Sequence, residues 1–397
     1  MTITTMAYED GAGIDFPSLR AQRRARVLAA LAEHDIDVLL LGRQGNARYV
    51  AGHRPLWRAV VTGWGPVCAL VRADAAVHLL VTTWDDGVPP DIPRERLSGL
   101  VWNPRLIQAN VARIDGLAAA RRIAVDGMSA SMATLLRDLA PRAELVDAEA
   151  LLRPLRSVKL PGEVRCLRTA LALVEGALHE AAALAAPGAR ELTVKGAFHA
   201  ALARNGLNHA ASEGTFCATP REAAGFADGV PLRLRPSART LGAGDLVALS
   251  GAAHHAGYEG TVARTRLVAG PAASGPTAPR RALYRRWRAA YDRLAAACRP
   301  GATVRDLAAA WAATGEPLPP LPIAFGIGLG VEPPFLGGAR GPAPVDAPIR
   351  AGTVLVLQPY VWEPGEGGYL GAETVLVRDD GPERLSRLSH APFEDEW

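Results

Sequence analysis

Side chains able to move a proton or hold an anion are sparse in this sequence, and few have a spacing that specifies a chemistry. Two carboxylates stand close to glycine: Glu259 in Gly257-Tyr-Glu-Gly260, and Glu332 just after Gly326-Ile-Gly-Leu-Gly330. Glycine lets a substrate approach the backbone, so Glu332 is a candidate general acid or base, and Glu259 is a candidate through the strand face it shares with Thr261. An apolar neighbour such as Phe325 would raise the pKa of Glu332. The plainer readings are a surface charge near a hairpin turn for Glu259 and a cap on the turn before Pro333-Pro334 for Glu332. His254-His255 is a tempting acid–base pair, but it falls at the expected tip of a hairpin, where side chains are usually solvated. His209 precedes a strand at Glu213–Thr219 and can face a cavity or serve the core. Arg54, Arg233 and Arg235 offer guanidinium forks of the kind that clamp a carboxylate, against the plainer reading of surface arginine.

Other chemistries lack their motifs. No P-loop, dinucleotide fingerprint or Ser-His-Asp order is readable. Gly326–Gly330 is a poor phosphate loop, because it lies in a strand pattern with no helix after it. Cys68, Cys166, Cys217 and Cys298 are far apart with no CxxC pair. That argues against a disulfide framework or structural zinc, and for a reducing cytoplasm. The 397 residues carry a net charge of +4, from 44 Lys and Arg against 40 Asp and Glu. The excess is scattered arginine without a basic run, so nucleic acid is not an expected partner. No stretch approaches the roughly 18 apolar residues of a membrane span, and the polar, acidic opening segment lacks the pattern of a leader. A cytosolic protein with no membrane partner is expected.

The elements that must position these residues fall into two groups. Residues 19–34 read as an amphipathic helix with Leu19, Val27, Leu28 and Leu31 on its apolar stripe, running into a strand at Asp37–Leu41. Strands at Val67–Val71, Val77–Thr82 and Ile123–Asp126, with helical stretches near 106–120 and 128–139, predict an α/β first domain. Trp57, Trp64, Trp84 and Trp102 cluster there. The Pro- and Arg-containing segment Leu152–Pro161 marks a junction, giving domains at 1–156 and 157–397. The second half predicts an α+β domain. Its helices lie near 162–186 and 191–205, then near 279–298 and 303–313. Its strands lie at 214–219, 245–250, 257–268, 323–331, 353–361 and 369–377. Residues two apart on a strand share a face, so Glu259, Thr261 and Ala263 line one side and Arg264 the other.

Several segments carry a family resemblance when taken in order. They are Gly244-Asp-Leu-Val-Ala-Leu249, Gly257-Tyr258 followed by Ala263-Arg-Thr265, Gly326-Ile-Gly-Leu-Gly-Val-Glu-Pro-Pro334, Ala351-Gly-Thr-Val-Leu-Val-Leu-Gln-Pro359 and Gly367-Gly-Tyr-Leu-Gly-Ala-Glu-Thr-Val-Leu-Val377. The first half adds Asn46-Ala-Arg-Tyr-Val-Ala-Gly52 and Arg156-Ser-Val-Lys-Leu-Pro-Gly-Glu163. These resemble conserved segments of the creatinase/aminopeptidase P/prolidase family, in the family's order and over nearly the whole chain. The resemblance implies an α/β N-terminal domain, an α+β pita-bread C-terminal domain and a homodimer.

The family's metallopeptidases hold two metal ions with two Asp, one His and two Glu. Carried over one at a time, these positions fall on Ser250, Thr261, Phe325, Gln358 and Ala372, with adjacent Glu373 as the alternative to the last. Hard divalent cations need several anionic oxygens, and this set supplies none. No metal and no other cofactor is therefore expected. Creatinase, a metal-free relative, cleaves a C–N bond with a histidine and glutamates. Its histidine position falls here on Arg233 or Leu232 and one glutamate on Ala263, so creatine hydrolysis is not implied. What remains is a pocket in which Ser250, Thr261, Phe325, Gln358, Tyr369 and the arginines contact substrate, and Glu259, Glu332 or His209 moves protons. Two functions stay open. One is a metal-independent enzyme acting on a small amino-acid-like or peptide-like molecule by C–N hydrolysis, elimination or rearrangement. The other is a non-catalytic pseudopeptidase that binds a peptide or protein.

Overall fold

A computed structural model describes residues 9–53, 65–82, 87–99, 101, 104–206, 214–226, 229–270, 275–339, 341 and 347–393. The chain divides between Arg156 and Ser157 into two compact units. Among the described residues no helix is long and apolar enough to cross a membrane.

In the first unit, helix α1 (Phe16–Glu33) is opened by Asp15, whose carboxylate accepts the Ser18 N–H at 3.0 Å. Pro17 sits in its first turn, where a missing N–H costs nothing. Strands β1 (Val38–Leu41), β2 (Cys68–Val71), β3 (Ala76–Leu79), β4 (Arg122–Val125) and β5 (Glu144–Asp147) form one sheet in the order β3-β2-β1-β4-β5. β1, β4 and β5 are parallel, and β2 and β3 extend the sheet antiparallel. Helices α2 (Gln44–Ala51), α3 (Pro104–Ala112), α4 (Ala130–Leu139) and α5 (Ala148–Ser157) complete the α/β unit. Buried Asn46 on α2 ties it together. Its amide donates to Asp126 at 2.6 Å and to Glu149, and its carbonyl oxygen accepts from Arg156.

The second unit opens with helices α6 (Pro161–Ala183) and α7 (Glu191–Arg204) and an antiparallel sheet of β6 (Thr215–Ala218), β7 (Leu246–His255) and β8 (Tyr258–Leu267). Helices α8 (Ala278–Ala297) and α9 (Val304–Ala312) follow. Then come β9 (Ala324–Gly328), β10 (Gly330–Leu336), β11 (Val354–Leu357), the pair β12 (Tyr360–Glu363) and β13 (Gly367–Leu370), β14 (Glu373–Arg378) and β15 (Gly381–Arg384). The second large sheet has the order β10-β9-β11-β14-β15.

The sheets are joined at Ala263 and Ala372, which exchange backbone hydrogen bonds of 3.0 and 3.4 Å. The Thr265 hydroxyl reinforces the seam, donating to the Leu370 carbonyl at 2.9 Å and accepting the Leu370 N–H at 2.8 Å. β8 therefore runs beside β14, yet it also packs against β9, which lies two strands further along. Only a curved surface allows both, so the two sheets form one concavity. Helix α6 covers the back of the β7–β8 hairpin so closely that a Cβ at Gly260 would lie 2.6 Å from the Leu171 nitrogen. Glu163 locks this contact. One carboxylate oxygen accepts the Leu160 N–H at 2.8 Å and so caps α6, while the other accepts the Tyr258 hydroxyl at 2.8 Å. Behind the second sheet lies an apolar core containing Trp287, Tyr291, Leu294, Leu355, Leu357, Tyr369 and Phe393.

Candidate functional site

The turn of the β7–β8 hairpin is Ala256-Gly257, both at positive φ (49° and 82°), a two-residue connection that suits the right-handed twist of the strands. It sets the register. On one side of the hairpin lie the cross-strand pairs Ser250–Ala263, Ala252–Thr261 and His254–Glu259. On the other side Tyr258 and Gly260 meet α6, and Gly251 meets Phe198 of α7. The first set faces the concavity. The expectation of a solvated His254-His255 tip is corrected by this register, because both histidines are rungs of the ladder. His255 pairs with Tyr258 and is 4% exposed.

His254 points into the concavity, with Nε2 3.6 Å from Glu259 Oε2. The Thr261 hydroxyl donates to Glu259 Oε1 at 3.1 Å. Burial pushes the Glu259 carboxyl up, but the His254 imidazole and the Thr261 hydroxyl outweigh it and hold the group below its ordinary value. The result is an ionised carboxylate, its side chain 22% exposed, beside an imidazole.

The second sheet completes the surface. Phe325 pairs with Val356 and Val356 with Thr374, so the three share a face. The Thr374 hydroxyl donates to the Thr261 carbonyl at 2.9 Å, which identifies that face as the concave one. Ala372 lies two residues before Thr374 on the same side, across from Ala263. Gln358 follows two residues after Val356, 8% exposed, with its amide 3.4 Å from the Pro322 carbonyl. Ser250, Thr261, Phe325, Gln358 and Ala372 thus gather on one surface. Glu373 faces the opposite way. It accepts from Arg264 at 3.0 Å and from the Ser386 hydroxyl, and meets His390 Nε2 at 2.7 Å. The five gathered positions offer two hydroxyls, one amide and no charged donor, which does not fit a pair of hard divalent cations. Among the described residues no group of three or more His, Cys, Asp or Glu is placed to hold a metal ion.

Glu332, Arg233 and Tyr369, also expected in the site, are not brought to this surface. Glu332 pairs with Gly326 and so lies on the face opposite Phe325. It is 4% exposed and held by the Lys159 ammonium, and its carboxylate accepts the Leu329 N–H at 3.3 Å. An apolar setting beside Phe325 is therefore corrected to a buried ion pair. Arg233 grips Glu191 through both terminal nitrogens, at 2.6 and 2.9 Å, so its fork is already filled. Arg235 is exposed on the same loop. Tyr369 belongs to the aromatic core, its hydroxyl 2.7 Å from His390 Nδ1 and its ring against Trp287 and Phe393. His209, Arg54 and the four first-domain tryptophans lie outside the described residues. The residue that sequence reasoning undervalued is His254. A two-residue turn at Ala256-Gly257 places position 254 opposite 259, and that signal was present in the glycine.

Residues 165–379 match metallopeptidase family M24, and residues 23–158 match the creatinase/prolidase N-terminal domain. Among solved structures, an X-Pro aminopeptidase from Thermotoga maritima superposes with a TM-score of 0.74 at 17% identity, covering 92% of this chain and 98% of its own. A prolidase from Pyrococcus horikoshii gives 0.72 at 17% identity, with 93% and 99% covered. A dipeptidase from Mycobacterium ulcerans gives 0.69 at 22%, with 95% and 98% covered. No curated protein matches the sequence.

Proposed function

The chain belongs to metallopeptidase family M24, and from that premise we propose that it is a metal-independent enzyme of the family acting on a small amino-acid-like or peptide-like substrate. One observation carries the reading: among the described residues the concave surface offers no metal-ligand set but does hold His254 and Glu259, 3.6 Å apart, with Glu259 bonded to Thr261. An imidazole in this position can take a proton from substrate nitrogen, oxygen or carbon. The adjacent carboxylate then stabilises the imidazolium that forms, and the proton can be returned to a leaving group. Ser250, Thr261 and Gln358 supply hydrogen-bonding groups to orient a polar substrate. C–N hydrolysis, elimination and rearrangement all require such a transfer and need no redox partner. A cytosolic setting belongs to this reading, supported by four buried cysteines that form no disulfide.

The test begins with a metabolite screen for turnover. Glu259→Gln and His254→Asn should each lower the rate by ~10²–10⁴-fold with the circular dichroism spectrum unchanged. Full turnover in both variants would sink the site assignment. Elemental analysis should find no stoichiometric Mn, Co, Zn or Fe, and chelators should leave turnover intact. Two equivalents of metal per chain would overturn metal independence. If nothing is turned over and a peptide protects the concave surface instead, the binding-module alternative prevails.

A further inference from the structure

We infer that the pocket between the start of helix α6 and the end of strand β14 binds the phosphate monoester group of a small molecule through Arg165, Arg168 and Arg378. The inference is independent of the proposed function. None of the residues gathered on the concave surface lines this pocket, which is built wholly from the second unit.

The pocket has a volume of about 560 Å³, the size of a small-molecule site. Its lining carries four cationic side chains, Lys159, Arg165, Arg168 and Arg378, against a single acidic one, Asp379. Lys159 is committed, buried against Glu332. Arg168 and Arg378 both reach Glu383, so one carboxylate serves two guanidinium groups and holds them side by side. Arg165 stands one helical turn before Arg168 and shares its face of α6. It is exposed, and among the described residues its guanidinium meets no carboxylate and donates no hydrogen bond. The four cations thus face three carboxylates, Glu332, Glu383 and Asp379, and one positive charge is left over. That excess favours an anion.

The free donors narrow the anion. A guanidinium carries five N–H donors in a planar fork. Arg378 spends Nε and Nη2 on Glu383, and Arg168 spends Nη2. Nη1 of each is left over, together with the whole fork of Arg165. A carboxylate has two oxygens, and one fork satisfies it. A phosphate monoester has three terminal oxygens and a charge of about −1.5 to −2 at pH 7, so it can accept from donors that arrive from three residues. The rest of the lining includes apolar Val164, Ala351 and Leu376, a surface for the organic body of the ester.

Binding is measured by calorimetry on the full chain at pH 7 and one fixed, low ionic strength. Phenyl phosphate is the probe, benzoate the carboxylate of similar size and inorganic phosphate the bare anion. Phenyl phosphate should bind at least about tenfold more tightly than benzoate and severalfold more tightly than inorganic phosphate. Arg165→Gln, at an exposed position, should remove about tenfold of the affinity for phenyl phosphate with the circular dichroism spectrum unchanged. Glu383→Gln releases Arg168 and Arg378 from their shared partner and should tighten binding severalfold. Arg285→Gln removes an exposed arginine of α8 that does not line the pocket, and should change nothing. No binding of phenyl phosphate, equal binding of benzoate, affinity that survives Arg165→Gln, or an equal loss from Arg285→Gln would each overturn the inference. Weaker binding in Glu383→Gln would overturn the role of Arg168 and Arg378. Inorganic phosphate bound as tightly as phenyl phosphate would overturn the ester and leave a site for the bare anion.

Discussion

Behind the concave surface, Glu373 and His390 form a second carboxylate–histidine pair, 0% and 1% exposed. Burial pushes Glu373 up, but Arg264 and His390 outweigh it and hold the carboxyl below its ordinary value. Burial, with Arg264 adding to it, lowers His390 to about 4. An unfolded chain carries His at about 6.5, so between pH 6.5 and 4 the unfolded state takes up a proton that the folded state refuses. Stability from His390 is complete above that window and is lost as pH falls through it. Glu373 acts in the same direction lower down, losing its contribution as pH falls through its depressed value. The melting temperature should therefore drop between pH 7 and pH 5, and His390→Asn should flatten that slope in thermal scans. An unchanged slope would show that His390 is not the group responsible. On the concave side, Ser250→Asp with Thr261→Asp restores two carboxylates but leaves Phe325, Gln358 and Ala372 in place. Calorimetry with Mn²⁺ should detect no two-ion binding in this double variant, because three of five ligands are still missing.

Individual elements report how tightly this surface is supported from behind. A methyl group at Gly260 would meet the α6 backbone at 2.6 and 2.7 Å, where nothing flexible can move aside. Gly260→Ala should cost about 1–3 kcal/mol or more in denaturant unfolding. Lys159 and Glu332 tie the start of α6 to β10 and are both buried, with side chains 1% and 3% exposed. Lys159→Met alone leaves a buried charge unpaired and should cost about 3–5 kcal/mol, whereas adding Glu332→Leu should recover most of it. A double variant no more stable than the single would refute that account. The same elements show what the sequence conceals. The expected strands 353–361 and 369–377 are each broken in two. Pro359, which lacks an N–H, ends the first part of one, and Gly371 divides the other. At Gly371 the indole of Trp287 lies so close that an added Cβ would sit 2.4 Å from it, and its N–H donates to the Gly371 carbonyl at 3.2 Å. Tertiary packing sets such breaks, and alternation of residue types carries no trace of it. Helix α2 escaped notice for a related reason: six of its eight residues are buried, polar Asn46 and Arg48 included, so no amphipathic stripe exists to read.

At the scale of the whole chain, the division into an α/β unit and a curved α+β unit was legible from periodicity and from the order of the family-like segments. The five positions carried over from the family's ligands came from the order of those segments, and strand register places them on a common face. The roles of Glu332, Arg233 and Tyr369 were not legible, since each is decided by a partner distant in sequence: Lys159, Glu191 and His390. We propose the homodimer that the family resemblance implies, and light scattering at micromolar concentration should give twice the chain mass; a monomeric mass would overturn it. The two-residue turn at Ala256-Gly257 has a consequence of another kind, in the order of assembly. A two-strand hairpin closes in about 1–10 μs, whereas joining remote segments must first overcome the entropy of closing long loops. The five ligand positions come from segments spread between residues 250 and 372 and meet only when the second sheet has docked. His254 and Glu259 need only their own hairpin to zip. The His254–Glu259 pair can thus reach its native spacing while the rest of the concave surface is still unformed, which makes it the earliest piece of that surface to exist along the folding path.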